Sequence, residues 1–239
     1  MILVRSLLFQ VLFYLGTAVM AVVALPLLLM PWRWIMRYGT VWSDLTLRLL
    51  HATVGLDYEV RGAEHLPPGP AIVAMKHQSA WDTLAAPVIF RDPVVVIKRE
   101  LGWIPFYGWY ALKAGMIAID RRAGPAALRS MARQGERAKA DGRKIVIFPE
   151  GTRVAVGAAP AYQPGVFALY RQLALPLVPV AVNSGLYWGR RHFSKRPGRI
   201  IVEILPPIPA GGARAAVMQQ LETAIETASA RLAVSQRTG

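Results

Sequence analysis

From residue 6 to residue 30 the chain runs SLLFQVLFYLGTAVMAVVALPLLLM without one charged side chain. The part up to Ala24 alone approaches the roughly 20 residues that cross a bilayer core, and Pro26 and Pro31 then break or kink the helix. A cleaved signal peptide fits poorly: the apolar run is too long, only Arg5 precedes it, and no small-x-small cleavage site is evident. Next, Ile35, Tyr38, Trp42, Leu45 and Leu49 recur at spacings of three and four, with Arg33, Arg37, Asp44, Arg48 and His51 on the other side. This predicts an amphipathic helix with Trp32 and Trp34 at its start, a composition suited to a headgroup boundary; packing on a globular domain is the alternative. Arg33 and Arg37 follow the apolar run while Arg5 stands alone before it, so the positive-inside bias puts the main domain on the cytoplasmic side of a membrane.

From about residue 57 the pattern alternates. Short apolar or β-branched runs predict strands at 71–75, 94–97, 116–119, 144–148, 177–182 and 199–205, and helical spacing covers 125–140, 164–173 and 213–234. Such alternation predicts an α/β layered fold with a largely parallel or mixed sheet. No repeat or linker divides the rest, so the expected organisation is 1–55 as a membrane-anchoring apolar helix plus an amphipathic helix, and 56–239 as one domain.

Composition narrows the chemistry. The absence of cysteine excludes disulfides, thiolate nucleophiles, cysteine metal sites and an acyl-cysteine intermediate. A net charge of +14 is clustered, with eight Lys or Arg against Glu136 and Asp141 in 121–144, and Arg190, Arg191, Lys195, Arg196 and Arg199 without an acid. Nucleic acid, anionic lipid and an acidic protein all fit such a balance; the apolar N-terminus favours lipid.

Two strings carry the candidate chemistry, HQSAWD at 77–82 and FPEGTR at 148–153. His77 follows a predicted strand and Trp81 onward looks helical, so the imidazole sits at a strand-to-helix turn. A neutral imidazole accepts a hydroxyl proton on one nitrogen, while a carboxylate such as Asp82 on the other fixes the tautomer. No G-x-S-x-G elbow supplies a protein nucleophile, so the hydroxyl is most simply the substrate's. A structural histidine is the plainer alternative. In the second string Gly151 lets the backbone approach an anion, Thr152 adds a donor, and Arg153 can grip a phosphate bidentately; a plain polar turn would read the same way.

At this point the residues resemble a known family. His77–Asp82 is similar to the first motif of the glycerolipid acyltransferases related to 1-acylglycerol-3-phosphate acyltransferase, Gly115–Arg121 to the second, Phe148–Arg153 to the third and Leu177–Val180 to the fourth, all in family order. The resemblance implies transfer of a fatty acyl chain from acyl-CoA or acyl carrier protein to the sn-2 hydroxyl of a lysophospholipid, giving phosphatidic acid in phospholipid biosynthesis. It implies His77 as general base, Asp82 as its orienter, and Arg121 with Glu150, Gly151, Thr152 and Arg153 as the glycerol-phosphate site. Lys98, in IKREL, would touch the acceptor phosphate or the thioester oxygen. No metal, cofactor or nucleic-acid partner is implied. Lyso-ornithine lipid, another lysophospholipid or glycerol 3-phosphate are alternative acceptors, and a non-catalytic lipid-binding protein is the alternative of another class. The chain departs from the pattern at Lys76, where Asn is common, and at 162–165, where YQPG stands in place of a Lys before the Pro or Gly.

Overall fold

The structure is a computed structural model that describes residues 1–158 and 160–235, and the side chains of all of these but Arg121 and Ser235. Helix α1 (Ile2–Val23) and helix α2 (Trp32–Val54) are joined by a 3-10 turn at Leu25–Leu29 that carries Pro26. Then follow β1 (Leu56–Arg61), β2 (Ile72–Met75), α3 (Ala80–Phe90), β3 (Val94–Lys98), α4 (Tyr107–Lys113) and β4 (Ile117–Ile119). The chain closes with α5 (Gly124–Ala140), β5 (Ile145–Ile147), α6 (Gly165–Leu173), β6 (Leu177–Val182), β7 (Gly198–Ile204) and α7 (Arg214–Ser235).

The strands form one mixed sheet in the order β1-β7-β6-β2-β5-β3-β4. Every pairing is parallel except β6 with β7. Both faces are covered, which is why β2, β3, β5 and β6 are continuous apolar runs rather than alternating ones. Alternate residues of β2 divide the core: Val73 and Met75 pack with α2 and α3, and Ile72 and Ala74 with α5, α6 and α7. Because β2, β5, β3, β4 and β6 run the same way, the residues that follow each of them gather along one sheet edge. Loops at that edge of a parallel sheet are where such folds place ligands.

α2 exists as expected, and Ile35 of the expected stripe is buried, but further along the helix the buried face shifts. Leu47, Leu50 and Val54 are at most 5% exposed, whereas Leu45 of the expected stripe is 50% exposed. The helix serves two neighbours at once. Its domain-facing side joins the core of the sheet, while Tyr38 donates to Met20 O at 2.7 Å and Trp42 Nε1 to Thr17 Oγ1 at 3.1 Å on α1. Phe9 of α1 also lies in the sheet's core cluster. Residues 1–55 therefore do not form a body of their own.

α1 is long and apolar enough to cross a membrane by length and composition. It nevertheless lies along the domain. Near its start, Lys195 N donates to Ser6 Oγ at 2.9 Å and Lys195 Nζ to Gln10 Oε1 at 2.8 Å, with the ammonium 4.6 Å from the Trp188 ring centre and 5.2 Å from that of Phe9. Near its end, Tyr110 of α4 donates to Ala21 O at 2.5 Å. A 3-10 turn at Arg99–Trp103 leads toward α4, and Trp103 and Trp109 are exposed.

Candidate active site

β2 ends at Met75, and Ser79 opens α3 as its N-cap. Asp82 is the third residue of that helix and completes a capping box, accepting from Ser79 N at 2.8 Å and also from Gln78 N at 2.7 Å. The same Oδ2 lies 3.0 Å from His77 Nδ1. The five-residue spacing of histidine and aspartate is therefore the geometry of a helix start: the carboxylate that caps the first turn also reaches back to the imidazole two residues before the cap. Asp82 is fully buried, and its other oxygen accepts from Ser184 Oγ at 2.5 Å. Four protein donors thus hold the carboxylate. With Asp82 accepting, the ring proton sits on Nδ1, and Nε2, on the far side of the ring, carries the lone pair.

The FPEGTR string builds the other wall. Phe148, just past β5, stacks on the His77 ring with centres 3.9 Å apart and planes at 20°. Gly151 turns the chain at φ +71°, a left-handed conformation open to glycine. Val154 N then donates to His77 O at 2.8 Å, while His77 N donates to Glu150 Oε1 at 3.2 Å. Both polar atoms of the His77 backbone are clamped by this one loop.

Glu150 corrects an expectation. Its side chain is buried and turned to the His77 backbone and to Lys76 Nζ, 3.7 Å away, so no carboxylate is offered to an acceptor. Burial pushes its carboxyl up to about 7, against the N–H of Glu150 itself, the N–H of His77 and the Lys76 ammonium, which pull it down. Thr152 is exposed and Arg153 half-buried, one residue from the contact with His77 O.

The remaining cations sit along the same edge. Lys98 is exposed at the end of β3, in register with Ile119 of β4. Arg99 pairs with Asp120 at 3.1 Å, and Asp120 caps the turn that holds Arg121. The side chain of Arg121 lies outside the described residues. At the usual strand spacing, β3 is about 10 Å and β4 about 14 Å from β2. Sequence reasoning missed Ser184, Phe148 as the stacking partner of His77, and Glu226, which pairs with Lys76. Ser184 had a signal: it is a polar residue one position past Asn183 at the end of an apolar parallel strand.

Comparisons with known proteins identify the family. Residues 57–183 match the family described as Acyltransferase. The chain is 39% identical over 171 residues to the 1-acyl-sn-glycerol-3-phosphate acyltransferase of Pseudomonas aeruginosa, covering 72% of this chain and 66% of that protein. It is 36% identical over 174 residues to the alpha 1-acyl-sn-glycerol-3-phosphate acyltransferase of Mus musculus, covering 70% of this chain and 61% of that one. The chain thus spans just under two thirds of the length of these relatives. The crystal structure of the 1-acyl-sn-glycerophosphate (LPA) acyltransferase of Thermotoga maritima superposes with a TM-score of 0.79 at 20% identity, over 97% of this chain and 98% of that one, a likeness of fold. With a family match that takes in both the His77–Asp82 pair and the loop that clamps it, the chain belongs to the acyltransferase family.

Proposed function

We propose that the protein transfers a fatty acyl group from a thioester, acyl-CoA or acyl carrier protein, to the sn-2 hydroxyl of 1-acylglycerol-3-phosphate, forming phosphatidic acid. The carrying observation is the Asp82–His77 pair, with the 3.0 Å contact on Nδ1 leaving Nε2 to act as base. Nε2 takes the hydroxyl proton as the oxygen attacks the thioester carbonyl. The tetrahedral intermediate collapses with loss of the thiolate, which takes the proton back from the imidazolium. Asp82 stabilises that imidazolium and holds the ring; Phe148 fixes its plane. Arg153, Arg121 and Lys98 are the cations proposed to receive the acceptor's phosphate, with Gly151 and Thr152 shaping the loop. No residue of the chain is acylated on this route.

The outward face of α1 and the exposed Trp103, Trp109 and Leu112 of the α4 corner are proposed to meet the lipid surface, with the catalytic domain on the cytoplasmic side. That location presents an amphiphilic acceptor to His77 without removing its acyl chain from the bilayer.

The test is one assay with a single acyl donor and a panel of acceptors: lysophosphatidic acid, lysophosphatidylcholine, lyso-ornithine lipid and glycerol 3-phosphate. Lysophosphatidic acid is expected to be acylated fastest. His77→Ala is expected to abolish turnover with the fold intact, and Asp82→Asn to reduce it by about 10³- to 10⁴-fold, as loss of the orienting carboxylate does elsewhere. A near wild-type rate for His77→Ala ends this mechanism. A faster acceptor without a phosphate monoester replaces the substrate.

A further inference from the structure

The two places where this chain departs from the family pattern, Lys76 and the 162–165 turn, meet at a single carboxylate of the C-terminal helix. Lys76 Nζ lies 2.5 Å and 2.6 Å from the two oxygens of Glu226 on α7, and Tyr162 Oη donates to Glu226 Oε1 at 2.8 Å. Lys76 also donates to Ala158 O at 3.3 Å. The Lys76 side chain is 1% exposed, that of Glu150 0% and that of Glu226 23%. An ammonium this deep is tolerated only with charged partners, and here it has two.

The second partner is the residue that holds His77. Glu150 Oε1 is 3.7 Å from Lys76 Nζ and accepts from His77 N at 3.2 Å, while its other oxygen is buried with no hydrogen-bond partner among the described residues. A continuous line therefore runs from α7 through Glu226, Lys76 and Glu150 to the backbone of the histidine. We infer that Lys76 and Glu226 are positioning residues: Glu226 seats Lys76 beside Glu150, whose carboxylate accepts from the His77 N–H, and so the seating of α7 is part of the catalytic geometry. This rests on the acyl-transfer reading above.

The electrostatics give the inference a sign. The charged groups acting on Glu150 are Lys76 from the end of β2 and Glu226 from α7, and the same Glu226, with Glu150 and Glu222, acts on Tyr162 in the turn before α6. Burial raises Glu150 to about 7; Lys76 opposes that rise and Glu226 adds to it. Burial and the hydrogen bond to Glu226 push Tyr162 up, so it stays a neutral donor. Removing the Glu226 charge releases Lys76 to Glu150 alone and extends the ionised form to lower pH. Removing the Lys76 charge does the reverse.

The whole 239-residue chain would be assayed in lipid vesicles across pH, as wild type, Glu226→Gln and Lys76→Gln, with thermal melting to confirm the fold. In both variants kcat is expected to fall by between about tenfold and a hundredfold with acceptor KM nearly unchanged, as misplacement of a catalytic group does. The acid limb of the rate profile is expected at lower pH in Glu226→Gln and at higher pH in Lys76→Gln. Limbs that stay put, or move the same way in both, reduce the cluster to a structural role and overturn the inference. Should Lys76→Gln fail to fold, the near-isosteric Glu226→Gln decides alone: a limb at lower pH supports the inference, and any other outcome overturns it. A wild type inactive on every lysolipid tested would instead remove the acyl-transfer reading, a failure distinct from active variants with unmoved limbs.

Discussion

Ser184 Oγ lies 2.5 Å from Asp82 Oδ1, so the hydroxyl that follows β6 completes the shell of the carboxylate that orients His77. Both residues are fully buried. Without that hydroxyl one carboxylate oxygen faces the interior unpaired, and the three donors on the other oxygen must hold the group alone. Ser184→Ala is expected to lower kcat about tenfold, equivalent to about 1.4 kcal/mol, with little change in acceptor KM. A matching drop in thermal stability should accompany it. Steady-state kinetics with a single donor, beside a melting curve, checks both; an unchanged kcat would show that the capping donors suffice.

Arg153 stands next to Val154, whose N–H donates to His77 O at 2.8 Å, so its backbone lies beside the proposed base. A phosphate monoester offers two or more oxygens to that fork, and charge-assisted bidentate contacts are the strong ones. Arg153→Ala is expected to lower kcat/KM for lysophosphatidic acid by about tenfold to a hundredfold, as loss of about 1.5–3 kcal/mol of such contacts would. The donor KM should barely move. Arg153→Lys should recover only part of the loss, since a point charge does not reproduce the fork. Full recovery by lysine would make the site a general cation rather than a bidentate one.

The parts legible in the sequence share a physical property: their pattern is set by immediate neighbours. β2, β3, β5 and β6 are covered on both faces and show as unbroken apolar runs. The His77–Asp82 pair shows because one helix cap fixes both residues. β1, LDYEVR, lies at the sheet edge and carries charges, so its period is blurred; α4 is short, with a glycine and three aromatics or leucines left exposed. α2 was legible as a helix but not in its orientation, because Tyr38 and Trp42 answer to α1 while Leu47 and Leu50 answer to the sheet. Glu150 follows a strand and reads as an exposed loop carboxylate. What buries it is Lys76 from another strand end, itself held by Glu226 of α7, and no local pattern announces such partners.

The placement of α1 yields the last prediction. At 1.5 Å per residue its 22 residues extend about 33 Å, the thickness of a bilayer core. Yet Ser6 and Gln10 contact Lys195 near one end, and Ala21 contacts Tyr110 near the other. A helix pinned to the same domain at both ends spans a bilayer only if the domain enters it too. The outward residues Leu3, Leu7, Val11, Leu15, Val19 and Val22 are 46–65% exposed and form a long apolar stripe. That stripe fits a helix lying within one leaflet. The protein is expected to stay with membranes in high salt, since salt screens charges beyond a few ångströms but leaves apolar burial intact. Because the chain has no cysteine, single-cysteine variants report its topology directly. Arg5→Cys and Arg190→Cys, in sealed vesicles of known orientation, are expected to react with a membrane-impermeant maleimide from the same side. Labelling from opposite sides would show that α1 crosses the bilayer and that its contacts with Lys195 are broken in the membrane.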